Sequence, residues 1–96
     1  MKLAIWKYEL EPDNLTIKMP KGSEVLSVQV QKDIPCIWVL VNPRNSLEDR
    51  VFEAMGTGHG IPIAKEDSKE AINRRFIGTF QIHNGSLVFH LFERLN

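Results

Sequence analysis

A chain of 96 residues with 43% hydrophobic and 25% charged side chains has the size and composition of one soluble globular domain. Twelve basic residues balance twelve acidic ones, which argues against duplex nucleic acid as the main partner, because binding the phosphate backbone requires a basic surface. The single cysteine, Cys36, excludes an internal disulfide. Lys7 and Glu9 interrupt the first hydrophobic segment, which is therefore predicted to be neither a signal peptide nor a membrane span.

Short strands separated by turn residues are predicted along most of the chain, at residues 3–10, 14–19, 24–31, 36–41, 49–55, 75–83 and 86–93. Lys32-Asp33 is a predicted hairpin loop. The uniformly apolar segment 36–41, which contains Trp38, predicts a central strand covered on both faces. Residues 64–73 are polar and helix-capable, but their apolar stripe is too thin to predict a helix. We expect one all-β domain over residues 1–96, an antiparallel sandwich or small barrel of six or seven strands.

The clearest predicted element is the C-terminal hairpin around Asn84-Gly85, because Asn-Gly between two alternating runs is the strongest short-range hairpin signal. A two-residue loop would place His83 opposite Ser86 and Phe80 opposite Phe89. One face is then predicted to be core: Phe76, Phe80, Ile82, Leu87, Phe89 and Leu91. The other face is mixed, and we expect it to meet solvent or another subunit: Ile77, Thr79, Gln81, His83, Ser86, Val88, His90 and Phe92.

The segment GTGHGIP at residues 56–62 has two interpretations. It lacks the Lys-Ser/Thr ending of a Walker loop, and no clear helix follows it as a dinucleotide fingerprint requires. The favoured interpretation is a strand-ending turn in which Gly56, Gly58 and Gly60 adopt positive φ. The alternative is an anion site in which backbone amides act with Thr57 and His59, and in which arginines from the neighbouring segments supply charge: Arg50, Arg74 and Arg75.

Catalytic and metal-binding roles are not predicted, and no cofactor is expected. No histidine or cysteine pair has the spacing of metal ligands, and there is no G-x-S-x-G elbow. Cys36 borders the most apolar segment, where a buried thiol is expected to be inert. Trp38 lies inside that segment and is predicted to be core. Trp6 lies in a mixed strand and is the better interface candidate.

Three stretches occur in a distinctive order: EVLSVQVQKDIPCIWVLVNP, then GTGHGIP, then RFIGTFQIHNGSLVFHLFE. Over roughly residues 24–93 the chain resembles a family of uncharacterised small proteins common in phage and prophage genomes. The resemblance implies an accessory gene product in the cytoplasm of an infected bacterium, and it implies no catalytic residues. Such products often neutralise host defences, by binding a host protein or by sequestering a nucleotide signal.

We therefore expect a non-enzymatic, homo-oligomeric protein that sequesters a phosphorylated small molecule such as a nucleotide immune signal. An oligomer is expected because a β domain of this size rarely encloses a nucleotide alone, and pockets often form between subunits. The expected ligand site comprises Arg50, Gly56, Thr57, Gly58, His59, Gly60, Arg74 and Arg75.

The first alternative is an inhibitor of a host defence protein. Its expected interface comprises Trp6, Thr79, Gln81, His83, Val88, His90 and Phe92. A second alternative is a virion or replication accessory protein without a pocket. Neither duplex nucleic acid nor a membrane is an expected partner.

Overall fold

Seven β-strands in two antiparallel sheets make up the computed structural model of the protein, which describes residues 2–96. The strands are β1 (Ala4–Glu9), β2 (Thr16–Pro20), β3 (Glu24–Gln31), β4 (Ile34–Val41), β5 (Leu47–Gly56), β6 (Arg74–Ile82) and β7 (Leu87–Arg94). A three-stranded sheet has the order β1-β4-β3, and a four-stranded sheet has the order β2-β5-β7-β6. The prediction of an all-β antiparallel sandwich is confirmed. Residues 2–96 include no helix that could cross a membrane.

The β3–β4 hairpin has the predicted turn. Lys32 and Asp33 have φ values of 51° and 64°, and the residues that flank them, Gln31 and Ile34, are paired in the ladder. Positive φ at both central residues matches the right-handed twist of the two strands.

The turn between β6 and β7 is wider than a two-residue loop. Phe80 pairs with Phe89 as predicted, but His83, Asn84 and Gly85 all have positive φ. The His83 amide donates to Asp33 Oδ1 at 2.7 Å, which ties this turn to the β3–β4 turn. Ser86 N donates to the His83 carbonyl at 3.1 Å as a turn contact, and neither residue belongs to a strand.

A bulge in β6 corrects the predicted core face of the C-terminal hairpin. The register against β7 shifts between Phe76 and Gly78, so the extra residue, Ile77, turns inward and packs against the core. Phe76 is left opposite Phe92 on the outward face, with 56% of its surface exposed. Strict alternation therefore assigned Phe76 and Ile77 to the wrong faces of the sheet. One inserted residue reverses the face of every side chain that precedes it in the strand.

The core lies between the two sheets and is formed by Leu10, Met19, Val28, Ile37, Val39, Val41, Phe52, Phe80 and Leu91. β3 and β6 approach so closely that a Cβ at Gly78 would lie 2.8 Å from Val28 Cγ1. β4 is the central strand of its sheet, as predicted. Only its inward face is covered by the second sheet, however. Trp38 alternates with the buried Ile37 and Val39 and is half-buried on the outward side, which corrects its assignment to the core.

Candidate functional site

The GTGH segment forms a β-turn at the end of β5. The His59 amide donates to the Gly56 carbonyl at 3.0 Å, and Gly58 at the third turn position has φ +85°, as a type II turn requires. Gly56 and Gly60 do not adopt positive φ, contrary to the prediction. Gly56 instead makes room for the His59 ring, because a Cβ there would lie 2.7 Å from Nδ1.

Two of the three predicted ligand arginines have carboxylate partners. Arg50 binds Glu93 through two hydrogen bonds, and its Nη1 donates to the Ser23 carbonyl at 3.0 Å. The hydrogen bond with Glu93 raises the pKa of Arg50 above its ordinary value. Arg74 binds Glu53, with 2.9 Å between Nε and Oε1, and donates to the Pro62 carbonyl at 2.7 Å.

These arginines lie at the opposite end of the sheet from the GTGH turn. Arg50 and Gly56 are both in β5, and at about 3.3 Å per residue they are about 20 Å apart. Arg74 and Arg75 pair with Arg94 and Glu93 of β7, whereas Gly56 pairs near the other end of that strand. Arg74 contacts only Pro62 of the GTGHGIP segment, at its far end, so one chain does not bring the predicted guanidinium groups to the turn at residues 56–59.

A cleft of about 300 Å³ opens beside the turn, and we call it the turn cleft. It is lined by Gly56, Thr57, His59, Ser86, Leu87, Val88 and Phe89. Its polar groups are two hydroxyls and the His59 imidazole, and its lining contains neither lysine nor arginine. The turn cleft combines a few hydrogen-bonding groups with an apolar lining. It contains no guanidinium or ammonium group that would bind a phosphate.

Most of the predicted interface residues share the outward side of the four-stranded sheet. Directly paired residues of neighbouring strands lie on one face. His90 pairs with Met55 and Thr79, Phe92 pairs with Glu53 and Phe76, and Val88 pairs with Gln81. We call this surface the outer face, and its central members are Thr57, Phe76, Thr79, Gln81, Val88, His90 and Phe92. Trp6 belongs to the other sheet, and His83 lies in the β6–β7 turn.

His90 is held at the centre of the outer face by two threonines. Its Nε2 lies 2.7 Å from Thr57 Oγ1, and its Nδ1 lies 2.9 Å from Thr79 Oγ1. In a neutral imidazole, one hydroxyl accepts from the ring N–H and the other donates to the unprotonated nitrogen. Thr57 thus links the GTGH turn to the predicted interface residues. This contact depends on the register of β5, β7 and β6, which brings the two threonines to either side of His90.

Beside this cluster, Phe76 and Phe92 form an edge-to-face pair with centroids 5.4 Å apart. Next along the face, Glu53 bridges Arg74 and Arg94, with 4.0 Å between Arg94 Nη1 and Glu53 Oε1. Arg94 Nε is buried and lacks a hydrogen-bond partner among residues 2–96. Sequence reasoning missed Phe76 and Glu53, because the bulge that exposes Phe76 has no clear signal in the alternating run.

Side chains suited to metal binding are not clustered: residues 2–96 contain no group of three or more His, Cys, Asp or Glu arranged around a common point. The fold and the outer face together define a small two-sheet β-sandwich protein that presents an aromatic pair and a threonine–histidine cluster on an open sheet. The chain belongs to the family described as a domain of unknown function, DUF7352, whose model matches residues 1–96. No curated protein and no solved structure matches the chain.

Proposed function

We propose that this protein is a non-enzymatic binding protein whose outer face docks a protein partner. The observation that carries the proposal is the position of Phe76, a large aromatic side chain with 56% of its surface exposed on an otherwise regular sheet. Packing of the core does not account for an aromatic residue at position 76, because the bulge directs Ile77 into the core in place of Phe76.

The surroundings of Phe76 have the composition of an interface. Aromatic residues are enriched at the centres of protein interfaces, and polar groups at their rims. Phe76 and Phe92 form the apolar part of the outer face, with Thr79 and Gln81 on one side of the pair and the Glu53 ion pairs on the other. A partner with an exposed apolar side chain and backbone or amide hydrogen-bonding groups would fit this surface.

The environment of His90 supports a binding role over a catalytic one. Thr57 Oγ1 and His90 Nε2 are close enough for proton transfer, but the group that orients the imidazole is a second threonine hydroxyl instead of a carboxylate. The cluster lies on an open sheet face from which water is not excluded, whereas catalytic sites use enclosed, preorganised dipoles.

The proposed setting follows from the resemblance to phage and prophage proteins. We place the protein in the cytoplasm of an infected bacterium, as a homo-oligomer that binds a host defence protein. The identity of the captured partner tests this setting, because a virion or replication protein in its place would select the accessory-protein alternative.

A photo-crosslinking residue at Gln81 in bacterial cells would test the docking surface, with the same residue at the exposed Lys21 as control. We expect one adduct that is specific to Gln81. With that partner purified, Phe76→Gln should weaken binding about tenfold or more, as loss of a hot-spot aromatic does. Ile63→Gln is the matched control, since Ile63 is an exposed apolar residue outside the outer face. Equal adducts at both positions, or equal affinities for both variants, would refute the proposal.

The turn cleft supports a second candidate function, the sequestration of a nucleotide. Thr57, His59 and Ser86 line the cleft. Thr57 Oγ1 contacts His90 Nε2 and Ser86 Oγ donates to the His83 carbonyl, so the His59 imidazole is the group proposed to bind a hydroxyl or phosphate oxygen. Because the cleft lacks a guanidinium group, the phosphate charge would require an arginine from another copy. Arg75 has no ion pair with a described residue and could supply it.

Native mass spectrometry with cyclic and linear nucleotides would test sequestration. Wild type and the His83→Ala control should retain nucleotide-sized mass, and His59→Ala and Arg75→Gln should lose it. A wild-type protein that retains no nucleotide from the panel would remove this candidate and leave GTGH as a turn.

A further inference from the structure

The two sheets have four edge strands, and one of them is unprotected. Native proteins protect sheet edges with prolines, lysines or bulges, because unpaired backbone groups recruit other strands. β2 contains Lys18 and Pro20, and β3 and β6 each contain a bulge. Among the described residues, β1 is the edge strand with neither a proline nor a bulge, and it pairs regularly with β4 through all six of its residues.

The lysine in β1 does not guard the free edge. Lys7 Nζ donates to Gln31 Oε1 at 3.1 Å, and Gln31 belongs to β3, on the far side of β4. The side chain therefore reaches across its own sheet, away from the outward backbone groups of β1.

Trp6 lies in the same edge strand, β1. It pairs with the fully buried Val39, so it belongs to the core-facing row of its sheet. The residue nevertheless remains 39% exposed. A core-facing tryptophan at an unprotected edge presents apolar surface that the second sheet does not cover.

The accessible area of the whole chain leaves enough surface for a further contact. The accessible surface is 6579 Å², whereas a folded monomer of 11.0 kDa is expected to expose about 5,600 Å². The excess of about 1,000 Å² is close to the roughly 800 Å² that each partner buries in a standard protein interface.

We propose that two copies of the chain pair antiparallel through β1, which joins their three-stranded sheets into one six-stranded sheet. The axis that relates two such strands runs perpendicular to the sheet, so core-facing residues stand opposite core-facing residues. Trp6 then lies opposite Trp6 of the second copy, and Ile5 lies opposite Lys7. A register two residues further along would place Lys7 against Lys7, which like-charge repulsion disfavours. This inference rests on the homo-oligomeric part of the proposed function and specifies its surface.

Disulfide trapping tests the register, in a Cys36→Ala background so that each variant carries one thiol. Opposed residues have Cα atoms about 4.5–5.5 Å apart, within reach of a disulfide. Trp6→Cys should form a covalent dimer under mild oxidation. Ile5→Cys should not, because two copies of Ile5 would lie about 8 Å apart, but a mixture of Ile5→Cys with Lys7→Cys should form the heterodimer. Efficient crosslinking of Ile5→Cys alone, or no heterodimer from the mixture of Ile5→Cys with Lys7→Cys, which both retain Trp6, would overturn the register.

Sedimentation equilibrium of the native chain tests the surface itself. Trp6→Lys should raise the dimer dissociation constant about 30-fold or more, the effect of losing a buried hot-spot tryptophan. Ile34→Lys is the matched control, since Ile34 is 40% exposed at the start of the internal strand β4, and circular dichroism checks that both variants fold. An oligomer indifferent to Trp6→Lys would refute β1 pairing and leave the proposed self-association standing. A wild-type chain that stays monomeric into the high micromolar range would refute both.

Discussion

Removing Arg50 tests whether its guanidinium group is structural or free to bind a ligand. Arg50 and Glu93 lie on neighbouring strands, β5 and β7, and their side chains are only 14% and 4% exposed. Arg50→Met leaves the Glu93 carboxylate buried without its cation, and it also removes the hydrogen bond to the Ser23 carbonyl.

The magnitude follows from the burial of the pair. Breaking a buried ion pair by deleting one partner costs about 3–5 kcal/mol. Some residual exposure lets water screen the orphaned carboxylate, so we expect a loss of about 2–3 kcal/mol. For a domain of this size, the loss corresponds to a decrease of about 10–20 °C in Tm. The double variant Arg50→Met/Glu93→Leu should recover most of it, because an apolar pair of similar volume leaves no buried charge.

Urea denaturation followed by tryptophan fluorescence measures these free energies of unfolding. Arg75→Met is the control, since Arg75 is exposed, lies in the adjacent β6 and makes no ion pair with a described residue. We expect that control to stay within about 0.5 kcal/mol of wild type. If Arg50→Met and Arg75→Met lose the same free energy, the Arg50–Glu93 pair contributes no stability and Arg50 is available for a ligand.

Three further predictions concern packing, hydrogen bonding and burial elsewhere in the two sheets. Gly78→Ala should lower the free energy of unfolding by about 1–3 kcal/mol, because its Cβ would overlap Val28 Cγ1. In a double-mutant cycle measured by denaturation, the double variant Gly78→Ala/Val28→Ala should lose about 1 kcal/mol less than the sum of the two single losses. Strict additivity would argue against the contact. Asp33→Ala should cost about 1–2 kcal/mol in urea denaturation through loss of the hydrogen bond to the His83 amide, while Asp33→Asn keeps an acceptor and tolerates positive φ; equal losses would contradict this account. Burial raises the pKa of Tyr8, the single tyrosine of the chain, so tyrosinate absorbance should titrate at higher pH in the folded protein than in urea, where the pKa is about 10. Its contribution to stability is then complete below that pH and falls as pH rises through the folded pKa; coincident titrations would refute the burial of the hydroxyl.

The sequence was informative wherever a local pattern determines local structure. Alternating segments, together with the uniformly apolar segment 36–41, located the seven strands, and the residues at Lys32-Asp33 and Asn84-Gly85 marked turns that do adopt positive φ. The assignment of faces failed at Phe76, because a bulge depends on how β6 fits against β7 and against Val28 of the other sheet. No single strand contains that information.

The candidate site illustrates the same limit over longer distances. Thr57 and His90 are thirty-three positions apart and meet because β5 and β7 are neighbours, which a long connection between β5 and β6 makes possible. Arg50 looked like a ligand residue by its proximity in sequence to GTGH. An extended strand separates successive residues by about 3.3 Å, so Arg50 lies about 20 Å from Gly56 although only six positions separate them along β5.

The two proposed surfaces are compatible because they belong to different sheets. Pairing through β1 would use an edge of the three-stranded sheet, whereas the outer face is the outward side of the four-stranded sheet. A dimer would therefore keep both outer faces open and could hold two copies of a partner, or two sites on one oligomeric partner. Linked sites gain effective affinity without any new contact when their geometry allows both to engage. We accordingly expect Trp6→Lys to leave the affinity for a monovalent partner unchanged while it weakens binding to a partner immobilised at high density. Phe76→Gln should weaken both, and a loss of monovalent affinity in Trp6→Lys would show that the two surfaces are not independent.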